Sequence, residues 1–183
     1  MAKVILGMTT SLDGFVADQD GRAGRLFPDL AALSGTAYMN DLIEETGAVL
    51  MGKRAFEMGD PDSYVGTYEF QVPIFVLTHH PPRVVPKQDE HLTFTFVTDG
   101  VHTAVAQAKS AAGKRLFRWS AGPALPSSCW MPSSSTLQVD IMPVFLGTRR
   151  RFFDNASLER VRLEKIDTVE IGARTSLRFR VKQ

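Results

Sequence analysis

Apolar and polar residues fall into blocks along this chain, and the blocks predict most of its elements. Lys3 to Met8, with Val4, Ile5 and Leu6 at its centre, predicts a buried first strand. Thr9 to Ala17 reads as a polar loop, and Asp18-Gln19-Asp20-Gly21 as a turn. Leu30 to Glu45 predicts one helix whose apolar face carries Leu33, Ala37, Leu42 and Ile43. Gly47 then stands where a C-terminal cap belongs. Ala48-Val49-Leu50-Met51, bounded by Gly47 and Gly52, predicts a strand covered on both faces that runs into a short helix from Lys53. Pro73 to Thr78 predicts another strand, stopped by His79-His80-Pro81-Pro82. Leu92 to Val97 alternates as a strand does. Asp99 is positioned to cap a helix from Val101 to Ala112 that Gly113 ends, and Arg115 to Trp119 predicts a short strand.

Strands alternating with helices predict an α/β fold with largely parallel strands. The C-terminal third changes character. Leu137, Val139 and Ile141 alternate with Gln138 and Asp140, and Leu177, Phe179 and Val181 alternate with Arg178, Arg180 and Lys182. Gly172-Ala173 suits a tight hairpin turn. The expectation is one domain over residues 1–183: a central mixed, mostly parallel sheet with flanking helices and an antiparallel C-terminal hairpin. Leu125 to Thr136 departs from the pattern. A helix belongs there, but Pro126, Pro132 and a run of serines oppose it.

Composition narrows the function. Hydrophobic residues make up 44% and charged residues 22% of the 183, and the formal net charge is +1. That balance favours a small-molecule partner over nucleic acid or a membrane surface. No apolar run is long enough to span a bilayer, Met1-Ala2-Lys3 enters a strand with no cleavable signal pattern, and Cys129 is the only cysteine. The expected location is the cytoplasm.

The stretch with the clearest chemistry is Gly52-Lys53-Arg54. A strand that turns into a helix through glycine leaves backbone N–H groups free for an anion, and two cations follow at once. The plainer reading is a strand–helix junction with solvated cations. No G-x-G-x-x-G follows the first strand, and no G-x-x-x-x-G-K-[ST] is present. His79 and His80 point to opposite faces in an extended strand, so no metal site is expected. Cys129 reads as structural, and Arg149-Arg150-Arg151 as a solvated basic loop.

Four motifs occur in order: Ser11-Leu12-Asp13-Gly14, Leu50-Met51-Gly52-Lys53-Arg54, Phe75-Val76-Leu77-Thr78 and Asp140-Ile141-Met142-Pro143-Val144. Together they resemble the dihydrofolate reductase-like superfamily, in the branch of the reductase domain of the bifunctional riboflavin-biosynthesis deaminase-reductase. The resemblance spans nearly the whole chain and implies an NADPH-dependent oxidoreductase that passes a hydride to a small C=N or C=O substrate, as 5-amino-6-(5-phosphoribosylamino)uracil reductase does. It implies cofactor phosphate contacts at Gly52, Lys53 and Arg54, with Thr78 and His79 on the 2′-phosphate side. Ser11, Asp13 and Asp60 fall on the substrate side. Gly122, within Ser120-Ala121-Gly122-Pro123, remains where relatives carry a Gly-Gly pair under the pyrophosphate. The family also implies a symmetric homodimer.

Some positions depart from the family. Gly7 stands where the riboflavin reductases carry lysine, which argues against their phosphoribosylamino-pyrimidine substrate. Only Gly147 remains of a glycine-rich turn after Leu146. The Arg118–Ser135 block keeps the expected length but not the composition, and reads as a frameshifted or otherwise altered segment. The nearest candidate for a proton-donating carboxylate is Asp29. The alternative function is a non-catalytic nucleotide- or partner-binding module on the same fold.

Overall fold

The structure is a computed structural model of the chain. It describes residues 3–120, 135–147, 151–152 and 161–182. In chain order the elements are β1 (Val4–Ser11), α1 (Leu30–Leu33), α2 (Ala37–Glu45), β2 (Thr46–Gly52), α3 (Lys53–Phe56), α4 (Tyr64–Thr67), β3 (Ile74–Leu77), β4 (Phe94–Val97), α5 (Val101–Ala112), β5 (Leu116–Ser120), β6 (Thr136–Met142), β7 (Arg162–Ile171) and β8 (Arg174–Lys182). Single 3-10 turns occupy Gly24–Leu26 and Pro61–Ser63. The chain divides into two compact units, Met1–Val4 with Asp41–Gly122, and Ile5–Asn40 with Pro123–Gln183.

The first unit is built on parallel strands in the order β4-β3-β2-β5. Ala48, Val49 and Leu50 of β2 are fully buried, as their unbroken apolar run predicts. Helix α5 buries Ala104, Ala108 and Ala112, one small residue per turn, and so lies close to the strands. Gly47 belongs to β2 and is not a helix cap. A Cβ there would stand 2.7 Å from the Ala112 carbonyl oxygen and 2.8 Å from Arg115 Cβ, so the glycine exists for close approach. Asp99 gives α5 no side-chain cap; the cap position falls on Gly100, at φ +91°. Phe56, Tyr64 and Phe94 form an aromatic cluster, with Phe56 edge-on to Phe94 at 5.3 Å between ring centroids.

The second unit has strand order β1-β6-β8-β7, with β1 and β6 parallel and the rest antiparallel. Thr9-Thr10-Ser11 reads locally as loop but is strand, because each residue pairs in register with Asp140, Ile141 and Met142. The predicted single helix is two. Gly35 at φ +75° breaks it, and the Thr36 hydroxyl accepts from the Met39 N–H to start α2 afresh. The C-terminal hairpin turns on Gly172-Ala173 as expected, with Gly172 at φ +58° and Ile171 paired to Arg174. Phe15, Ala23, Leu26, Met142 and Leu146 form a core that seats the segment after β1. The predicted α/β class, mostly parallel with an antiparallel C-terminal hairpin, holds.

Candidate functional site

The residues of interest form one group in each unit. In the first, Gly52 of β2 pairs with Leu77 of β3, so Lys53, Arg54, Thr78 and His79 all emerge at the carboxyl ends of two adjacent parallel strands. That end of an α/β sheet is where ligands bind. Gly52 has ordinary extended dihedrals, φ −81° and ψ 158°, and a Cβ there would meet nothing within 4 Å. Neither backbone strain nor packing demands a glycine here. What it provides is open space beside the backbone, which fits close approach of a phosphate. Helix α3 is a single turn, so the cations and not a helix dipole carry the positive potential.

The two cations differ. Lys53 Nζ lies 3.4 Å from the His80 carbonyl oxygen and 3.6 Å from a Glu57 carboxylate oxygen, on the surface. Arg54 is exposed, and among the described residues its side chain makes no hydrogen bond or ion pair. The Thr78 hydroxyl is buried in a local turn, donating to the His80 carbonyl at 3.0 Å and accepting the His80 N–H at 3.1 Å. It therefore shapes the His79-His80 corner. Asp60, in the same unit, is exposed and caps the 3-10 turn by accepting from Asp62 N–H. Gly122 lies outside the described residues, as do residues 121–134 of the compositionally unusual block.

In the second unit, Asp13 ties two loops together. One oxygen accepts from the Leu146 N–H at 3.2 Å, the other from the Gly147 N–H at 2.8 Å, and the buried Ser11 hydroxyl donates to it as well. The Ser11 hydrogen bond above all holds the Asp13 carboxyl below its ordinary value of 3.8; burial opposes it, and the Gly147 and Leu146 backbone bonds add to the lowering. Leu12 N–H donates to the Val144 carbonyl, and Phe152 N–H to the Gly14 carbonyl, so residues 11–15 are pinned along their length. An asparagine at 13 has one acceptor where two N–H groups need one each. Asp13→Asn is expected to speed hydrogen exchange at Leu146 and Gly147 and to lower the melting temperature at neutral pH. A depressed carboxyl contributes stability above its unfolded value that is lost as pH falls through its folded value. The gap between wild type and variant should therefore close in acid. A gap that stays constant down to the lowest pH at which both fold would refute this.

The main group in this unit was not apparent in the sequence. Arg174, 2% exposed, forks onto Asp29, with Nε donating to Oδ2 at 2.9 Å and Nη2 to Oδ1 at 2.8 Å. Its Nη1 donates to Thr9 Oγ1 at 3.0 Å and to Asp140 Oδ2 at 3.4 Å, and Nη2 also reaches the Leu26 carbonyl at 3.1 Å. The Tyr38 hydroxyl donates to Asp140, 2.9 Å from one oxygen and 3.0 Å from the other, and accepts from Gln138 Nε2 at 2.7 Å. Ser176 Oγ lies 3.2 Å from the same hydroxyl. This corrects the reading of Asp29 as a proton donor. The Arg174 hydrogen bond, and after it the Arg174 charge, lower its carboxyl despite burial, so Asp29 is an ionised partner and not an acid. The available signal was Gln138 and Asp140, polar residues alternating with core residues. Nothing local showed that their face is covered.

Among the described residues no three His, Cys, Asp or Glu side chains gather as a metal site, and no helix is long and apolar enough to cross a membrane.

The fold is that of the reductase-like α/β class, and the comparisons with known proteins agree. Residues 2–128 match the model of the RibD C-terminal domain family, and the chain belongs to that family. It is 26% identical over 179 residues to the uncharacterized protein YwjB of Bacillus subtilis (strain 168), covering 97% of each. Among solved structures it is similar to a candidate riboflavin biosynthesis protein from Shewanella sp. PV-4, at 18% identity, full coverage of both chains and a TM-score of 0.72. It also resembles the dihydrofolate reductase of Enterococcus faecalis complexed with NADP(H), at 13% identity, 99% and 97% coverage and a TM-score of 0.60. At such identities the structural likeness establishes the fold alone.

Proposed function

We propose that the protein is an NADPH-dependent reductase acting on a small C=N or C=O substrate, related in chemistry to the uracil reductase of riboflavin biosynthesis. The observation that carries this reading is the end of β2: open space beside Gly52, followed by Lys53 and the exposed Arg54, next to the β3 corner at Thr78 and His79. A 2′-phosphorylated nucleotide needs cations and approachable backbone at one spot. Family membership and a dihydrofolate reductase relative bound to NADP(H) support the same cofactor. When bound, NADPH supplies the hydride, and the accompanying proton must come from a protein group or water. Ser11, Asp13 and the loop they hold form the proposed substrate side, with Asp13 positioning that loop. In the first unit Asp60 acts as a turn cap. Gly7, in place of the riboflavin reductases' lysine, favours a substrate other than the phosphoribosylamino-pyrimidine.

Titration with NADPH followed by tryptophan fluorescence, and a turnover screen over carbonyl, imine and pterin compounds, test this reading. Binding with consumption of NADPH supports the reductase. Binding without turnover of any compound favours the nucleotide-binding module, and no binding removes both. The protein is also proposed to act in the cytoplasm as a symmetric homodimer. Strand β7 is an edge strand that leaves Leu163 and Ile166 exposed, which supplies a surface for a second copy. Light scattering at micromolar concentration should give twice the 20.2 kDa chain mass. A monomer would remove the dimer.

A further inference from the structure

The run Arg149-Arg150-Arg151 reads in the sequence as a solvated basic loop. Of the three, only Arg151 lies within the described residues, and its place is fixed. It pairs with Phe15 in an isolated antiparallel bridge. The next residue, the buried Phe152, donates its N–H to the Gly14 carbonyl at 3.2 Å. The Arg151 guanidinium carbon lies over the Phe15 ring, 5.4 Å from its centroid. Phe15 is itself held: its N–H donates to the Ser11 hydroxyl at 2.9 Å, and it belongs to the core with Ala23, Leu26, Met142 and Leu146.

An arginine so fixed usually serves a neighbouring carboxylate. Arg151 is exposed, and among the described residues its side chain makes no hydrogen bond and no ion pair. Asp13, on the same loop as Phe15, is committed to Ser11, Leu146 and Gly147. Space is open beside the two turns that Asp13 joins, since a Cβ at Gly14 or at Gly147 would meet nothing within 4 Å. The face of a guanidinium packs on an aromatic ring, while its in-plane N–H groups take carboxylate or phosphate oxygens in pairs. A ring behind the guanidinium restricts its rotamers before any ligand arrives, which lowers the cost of binding. We infer that Arg151 is an anion-binding residue on the substrate side, a ring-backed fork for a carboxylate or phosphate group, so that the substrate is an anionic carbonyl or imine compound. As a statement about substrates this rests on the reductase reading. The anion site itself is read by binding alone, so either can fail without the other.

The experiment uses the full-length chain as wild type, Arg151→Met and Arg151→Lys, labelled for nitrogen NMR. Each is titrated with inorganic phosphate and with acetate at constant ionic strength. In wild type the anions should shift the Arg151 Nε–H and the Gly14 and Gly147 amide signals along a saturating curve. Arg151→Met keeps an unbranched chain over Phe15 and should melt within a few degrees of wild type. It should nevertheless bind about threefold to fivefold more weakly, the effect of an exposed ion pair. Arg151→Lys keeps the charge without the fork and should fall between the two. If Arg151→Met does not fold, the lysine variant alone must bind more weakly than wild type. Tighter acetate assigns a carboxylate and tighter phosphate a phosphoryl group, and both support the fork. A purely structural stack would leave wild type and Arg151→Met alike, and that result overturns the inference. Shifts that never saturate, or that are confined to Gly52, Lys53 and Arg54, mean an adventitious ion only and overturn it too. In turnover, 4-carboxybenzaldehyde should have a lower KM than benzaldehyde, and the difference should vanish in Arg151→Met with kcat little changed. A difference that persists in the variant overturns the substrate part.

Discussion

Arg174→Ala is expected to lower the folding stability by about 3–5 kcal/mol, the range for removing one partner of a buried ion pair. The loss has a clear origin. Arg174 is 2% exposed, and its removal takes from Asp29 and Asp140, 18% and 13% exposed, the guanidinium that both carboxylates share. The Leu26 carbonyl and the Thr9 hydroxyl lose a donor at the same time. Leu26 also belongs to the core with Phe15, Ala23, Met142 and Leu146, so slack at residues 26–29 spreads into packing. Chemical denaturation of wild type, Arg174→Ala and Asp29→Asn measures the effect, and a double-mutant cycle isolates the fork. The pH dependence has a definite sign. Asp29 is held below its ordinary 3.8, so its contribution is present above that value and fades as the pH falls through the lower folded value. Wild type should therefore lose its advantage over Asp29→Asn in acid. A loss below about 1 kcal/mol in Arg174→Ala would mean that water replaces the guanidinium at little cost, contrary to its burial.

The largest expected effect on ligand binding is at Arg54. Arg54→Ala should weaken NADPH by about tenfold or more and leave NADH nearly unchanged, since a charge-assisted hydrogen bond is worth about 1.5–3 kcal/mol and about 1.4 kcal/mol is a factor of ten. Arg54 is exposed beside the open space at Gly52, with no hydrogen bond or ion pair of its own among the described residues. Its fork is thus available to a phosphate. Lys53→Ala should act in the same direction but less. Its ammonium is a point charge already shared with the His80 carbonyl and Glu57. Paired dissociation constants for the two cofactors on wild type and both variants give the answer. Equal weakening of NADPH and NADH in Arg54→Ala would move this cation to the shared pyrophosphate.

What could be read from the chain alone was what neighbouring residues settle among themselves. The apolar run Ala48 to Met51 was a buried strand, the pattern from Val101 to Gly113 was a helix with its stop, and Gly172-Ala173 was a tight turn. Each depends on dihedral preference or period within a few residues. The same local evidence misled where a distant partner had the deciding interaction. Thr9 to Ser11 look like loop and become strand through pairing with β6, and Gly47 looks like a cap and serves the approach of α5. The cation pair after Gly52 was visible because strand end, glycine and charges are contiguous. The Asp29–Arg174 fork was not, because it joins residues 145 positions apart. The Asp13 link to Gly147 spans 134 positions in the same way. Alternation along a strand determined that Gln138 and Asp140 share a face. Only the tertiary structure decided that Tyr38 and Arg174 cover that face, because a side-chain period reports the direction of a residue and not what the rest of the chain brings against it.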